Sequence, residues 1–183
     1  MKITTKQIAI GGVLLALMIA SQFLKNISVF ITGPIVNLIL IIATLSVGLG
    51  MGVILSVIAP ITSFLITGAP VMKAVPLIIP AVMVGNIIIC VAAWFFYYRL
   101  DFKGKLPAGL VVGSVFKFLF MTAVIVKFLL PTFGTALPEK AIAVASNTFS
   151  FVQLITALTG SALACAVWAL AGKQLKRDAA ETK

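Results

Sequence analysis

A chain of 183 residues in which 62% are hydrophobic and 10% charged, with a mean hydropathy of +1.23, lies far outside the composition of a soluble domain and belongs in a bilayer. Its net charge of +10 comes from 14 Lys and Arg against 4 acidic residues, with no His. That balance removes the usual parts of proton-coupled carriers and of metal-dependent enzymes, which need carboxylates or imidazoles at depth.

Apolar runs and breakers place spans at about 6–24, 34–49, 51–68, 75–98, 107–130 and 146–172, an all-α bundle of six transmembrane helices forming one domain over 1–183. The first run follows Lys2 and Lys6. Without a small-residue cleavage site and a polar mature region after it, this run reads as a retained helix rather than a signal peptide. Within it Gly12, Ala16 and Ala20 recur every four residues, a stripe of small side chains that lets another helix approach closely. The approaching helix is either a partner's or a sibling's.

The first break carries Lys25 and Thr32-Gly33-Pro34, and the second is the Gly48-to-Gly52 turn. Asn37, in the GPIVN segment, reads as a packing or loop-bonding amide. The third break, GAPVMKAVPLIIP, sets Gly68 and three prolines around Lys73, so the fourth helix starts irregularly and the segment is either a gate or a plain surface connection. Asn86 lies mid-span in the fourth helix, equally suited to ligand contact and to helix packing. The aromatic run from Trp94 to Tyr98 ahead of Arg99 reads as an interfacial belt.

The fifth span contains Lys117, about ten residues in and hence roughly 15 Å from the inner end. An ammonium there needs an anion, water or carbonyls around it. No acid in the chain lies at depth to pair with it, so the reading favoured is a charge partner for an anionic substrate group, against a snorkelling lysine. In the sixth span Ser146, Ser150, Gln153, Ala157 and Gly160 make a polar-then-small stripe, with Asn147 beside its outer end. Such a stripe avoids lipid, either lining a cavity or packing on a neighbour. Cys90 and Cys165 lie in apolar runs without metal spacing.

With the amino terminus inside, the inner segments hold nine cations (Lys2, Lys6, Arg99, Lys103, Lys105, Lys173, Lys176, Arg177 and Lys183) and the outer loops and edges hold four, Lys25, Lys73, Lys127 and Lys140. Cytoplasmic loops are enriched in Lys and Arg, so both termini are expected in the cytoplasm. The positive charge is then mainly topology, not nucleic-acid affinity. There is no GxxxxGK[ST] phosphate loop, and any uphill transport needs energy from another subunit. No cofactor is called for.

The six spans, the first helix with Ala16-Leu-Met-Ile-Ala20, and the GPIVN segment before a Gly-rich turn make the chain resemble the substrate-binding S component of energy-coupling factor transporters, over nearly its whole length. The resemblance implies a non-enzymatic subunit of a cell-membrane importer, partnered by a transmembrane coupling subunit and two ABC ATPases. It implies that Gly12, Ala16 and Ala20 meet the coupling subunit and that a vitamin-like substrate is taken from outside. The implied pocket lies toward the outer face, a region that holds Lys73, Asn86, Lys117, Asn147, Ser150 and Gln153. A carboxylate such as pantothenate or nicotinate would suit one cation among several amides. The alternative is an assembly protein that docks a partner helix through the same groove.

Overall fold

The computed structural model describes residues 5–180. Lys2, Glu181 and Lys183 lie outside the described residues, as do the side chains of Asn26, Lys176, Arg177 and Asp178. Six helical stretches are long and apolar enough to cross a membrane. They comprise α1 (Thr5–Phe23), α2 (Val29–Ser46), α3 (Leu49–Thr67), α5 (Ile78–Arg99), the run Lys105–Phe133 and the run Glu139–Leu175. A short α4 (Pro70–Ala74) precedes α5. The fifth run begins as α6 (Lys105–Met121), widens into a π-helix over Thr122–Leu129 and ends as α7 (Leu130–Phe133). The last run is α8 (Glu139–Thr148) followed by α9 (Phe151–Ala180).

Two boundaries differ from the sequence reading. Thr32-Gly33-Pro34 does not break the chain: α2 already begins at Val29, where Ser28 caps it by accepting a hydrogen bond from Phe30 N at 3.2 Å. Pro34 therefore sits inside the helix, its early position limiting the damage to one lost backbone bond. The sixth span is not one helix either. Phe149 and Ser150 form a turn between α8 and α9, so the expected Ser146–Gly160 stripe is divided between two helices.

In lipid the driving force between helices is packing, and small residues at contacts permit it. The central helix α2, the most buried of the six spans, packs against α1, α3, α5 and α9. Gly160 of α9 lies against its backbone: a Cβ there would lie 2.6 Å from the Pro34 carbonyl oxygen and 2.7 Å from Asn37 Cβ. Gly52 of α3 leaves room for Thr44, and Gly109 of α6 for Phe96 of α5. Several buried hydroxyls are satisfied within their own helices, among them Thr44 Oγ1 donating to Leu40 O and Ser56 Oγ to Gly52 O at 2.8 and 2.7 Å.

The apolar core fills one half of the bundle, around Leu40, Ile41, Leu45, Leu55, Ile89 and Leu110. At that end Arg99 stacks over Trp94 at 5.3 Å and Tyr97 meets Trp168 edge-on at 5.6 Å, as an interfacial belt should. A smaller cluster around Met72, Ile78, Met121 and Phe149 covers the opposite end. Between the two clusters lies a cavity.

Candidate functional site

The cavity has a volume of about 220 Å³, somewhat below the range of roughly 300–1,000 Å³ usual for drug-sized ligands. Its deep end is formed by three mid-helix residues, Asn37 of α2, Asn86 of α5 and Lys117 of α6. Lys117 is 2% exposed, and its Nζ donates to Asn37 Oδ1 at 2.8 Å and to Asn86 Oδ1 at 2.9 Å. Asn37 is itself fixed, its Nδ2 donating to Gly33 O at 2.9 Å. Gly85 of α5, against Met121 and the Lys117 stem, lets α5 and α6 come close enough for this bond to form.

The side wall joins α1 to α3. Gln22 Nε2 donates to Ala59 O at 3.0 Å, and one turn on, Lys25 Nζ donates to Ser63 Oγ at 2.7 Å. Thr32 Oγ1 donates to Ser21 O at 3.1 Å and ties α2 to the same corner. Over the shallow end lie Val71 and Met72 of α4 with Val144, Ala145 and Thr148 of α8, Phe149 of the turn and Gln153 of α9. The irregular start of the fourth span and the break in the sixth thus both serve as cover to this space.

No Asp or Glu lines the cavity, although two lysines do. An ammonium brought out of water is stabilised by dipoles and, more fully, by an anion. Lys117 has the dipoles of two amides and one N–H to spare, and Lys25 has two. Burial, without a carboxylate beside it, holds Lys25 below its ordinary pKa of 10.5. Among the described residues no three metal-ligating side chains gather. The arrangement suits recognition of a small anion with hydrogen-bonding groups.

Of the six residues expected at the site, Lys117, Asn86 and Gln153 line the cavity. Ser150 is buried in the α8–α9 turn, where its Oγ donates to Ser146 O at 2.6 Å, while Asn147 and Lys73 are exposed outside the lining. Lys25, Asn37, Gln22 and Ser63 line it without having been singled out as substrate residues. The available signal was polarity at the end of an apolar helix: Ser21, Gln22 and Lys25 stand close together, and Gln22 and Lys25, three apart, share a face.

On the outside of α1, Gly12, Ala16 and Ala20 are all exposed, and a Cβ on Gly12 would meet nothing within 4 Å. The neighbouring Gly11 is the one that faces inward, against Met51. The small-residue stripe is therefore not consumed by a sibling helix.

The family model described as ECF transporter, substrate-specific component, matches residues 6–171. The chain belongs to this family. Neither a search of curated proteins nor one of solved structures returned a match. As an ECF S component it is a multi-pass cell-membrane protein and the substrate-binding subunit of a transporter, itself no enzyme, working with partner subunits. A cavity with buried polar groups, open to small molecules and roofed by short elements, is what such a subunit requires.

Proposed function

We propose that this S component captures a small anionic micronutrient, of the kind of a vitamin carboxylate, from outside the cell for ATP-driven uptake. The observation that carries the reading is the pair Lys117 and Lys25 facing one cavity that no carboxylate lines. Asn86 and Gln153 supply hydrogen bonds beside Lys117, and Asn37 orients its ammonium. The excess of Lys and Arg in the segments on the side of the termini supports cytoplasmic termini, which turns the cavity outward.

The exposed Gly12, Ala16 and Ala20 stripe is the docking face for a transmembrane coupling subunit, which in turn joins two ABC ATPases. Packing at small residues provides an association that apolarity cannot supply within lipid. The test is affinity purification of the tagged protein from gently solubilised membranes of its native host, beside a variant carrying Ala16→Trp and Ala20→Trp. Recovery of a coupling subunit and cassette ATPases with the first and not the second is the expected result. Recovery of neither, where a known complex of that kind survives, would replace the reading by an assembly role.

A further inference from the structure

On the outside of the bundle α5 and α6 form a shallow groove of about 340 Å³, which shares no residue with the central cavity and is lined only by apolar side chains. At Ala92, half-buried in the groove, the two helices touch: a Cβ on Gly113 of α6 would lie 2.8 Å from Ala92 Cβ. Small residues permit that approach, while Phe95 and Phe116, which also line the groove, remain 46% and 60% exposed.

Along α5 the groove follows Val84, Ile88, Val91 and Phe95, spaced by three or four residues and therefore on one face of the helix. From Val84 to Phe95 the rise is about 16 Å at 1.5 Å per residue, close to half of a hydrocarbon core of roughly 30 Å. The groove is thus one leaflet deep. Four residues beyond Phe95 the same face carries Arg99, exposed, with its guanidinium carbon 5.3 Å from the centre of the Trp94 ring. Contact with a ring face leaves the N–H donors in the guanidinium plane free of hydrogen bonds. Among the described residues no carboxylate pairs with Arg99, and Asp101, close to it in sequence, lies 3.7 Å from Lys105 Nζ instead.

Lipid tails cover every apolar face in a bilayer, so the cation is what selects the occupant. Arg99 stands in register with the groove at the level of the belt, where a lipid phosphate comes to rest, and its fork suits two phosphate oxygens at once. A zwitterionic headgroup brings its own ammonium beside the phosphate and gains less from the arginine than an anionic one does. We propose that this groove binds an anionic phospholipid from the leaflet on Arg99's side, one acyl chain lying along α5 beside Phe116 and the phosphate held by Arg99.

The experiment reconstitutes the full chain in vesicles of mixed phosphatidylglycerol and phosphatidylcholine, with brominated acyl chains on one lipid at a time, and reads the quenching of tryptophan fluorescence. Trp94 is half-buried, three residues from Val91 and next to Phe95, whereas Trp168 is buried, so the quenching reports mainly on the groove. The wild type should favour phosphatidylglycerol about fivefold, the ratio expected of one cation at an anionic surface. Arg99→Gln should bring that ratio to about one. So should Val84→Phe with Val91→Phe, which fills the groove from two exposed positions and keeps the arginine. Each ratio compares two lipids on the same variant, so a changed tryptophan yield cancels, and an unaltered thermal midpoint shows that the variant is folded. Equal quenching by the two lipids in the wild type, or a preference that survives Arg99→Gln, overturns the inference. A preference that survives the filled groove overturns it too, because it marks attraction to the charged surface alone. Tryptophan that neither lipid quenches would place protein, such as a second copy of the chain, in the groove and overturn it as well.

Discussion

Replacing Lys117 by Met keeps the length and apolar stem of the side chain and removes its charge. In the free protein two effects oppose each other. The substitution relieves the cost of a buried ammonium, yet it strands Asn37 Oδ1 and Asn86 Oδ1, now held at 2.8 and 2.9 Å by Nζ. The folded state should therefore change little in stability. The ligand has no such compensation: a hydrogen bond to a charged group contributes about 1.5–3 kcal/mol, so the Kd for an anionic substrate should rise roughly 10- to 150-fold. Calorimetry in nanodiscs, with the tightest-binding member of a panel of small carboxylic acids, measures the first quantity, and the thermal midpoint of the ligand-free protein measures the second.

Lys117→Arg should not restore binding, because a planar guanidinium fork does not replace the compact ammonium that now donates to both Asn37 Oδ1 and Asn86 Oδ1. Asn37→Asp offers the sharper control, placing a carboxylate where the amide oxygen now accepts from Nζ. It should lower anion affinity by neutralising the lysine from within while leaving the side-chain shape unchanged. A Kd within about threefold of wild type in both Lys117→Met and Asn37→Asp would refute the charge argument and reduce Lys117 to a structural anchor.

Gly160→Ala should destabilise the protein by about 1–3 kcal/mol, since the new methyl meets backbone at Pro34 and the stem of Asn37, and it should also weaken ligand binding; Gly12→Ala, with open space before it, should leave the thermal midpoint unchanged. Affinity for the anion should fall as pH rises through the lowered pKa of Lys25, earlier than for an ordinary lysine. Stability runs the other way: the folded pKa lies below the unfolded one, so the penalty for the buried charge is relieved between that pKa and 10.5. Lys25→Arg should abolish Lys25's share of the affinity slope in a binding titration from neutral to alkaline pH, whereas an unchanged slope would assign the titration to Lys117, the other cation lining the cavity.

The six crossings were legible because a charge-free run from Asn26 to Met72 and four further charged or proline-rich breaks leave few other ways to lay the chain in a bilayer. Lys117 and Asn86 were legible for the same reason, as polar groups that lipid does not tolerate. Asn37 shows where that reasoning stopped. Its role depends on Lys117, 80 residues away, and no local pattern records such a pairing. Lys25 was assigned to an outer edge by its charge, but it turns inward because Ser63 of α3 receives it. The division of the sixth span escaped notice because FSFVQL is apolar enough to continue a helix, and only the cover it provides over the cavity explains the turn at Phe149 and Ser150.

The closed half of the bundle has an electrical consequence. On the side of Lys117 toward the chain termini the space is filled by Leu40, Ile41, Leu45, Leu55, Ile89 and Leu110, none of them more than 1% exposed, and hydroxyls buried among them, such as Thr44 and Ser56, are bonded back onto their own helices. A small cation entering from the cavity would meet the Lys117 ammonium first and then closely packed side chains with no carboxylate among them. Such packing should leave the isolated subunit non-conducting, and liposomes that carry it alone should hold an imposed membrane potential.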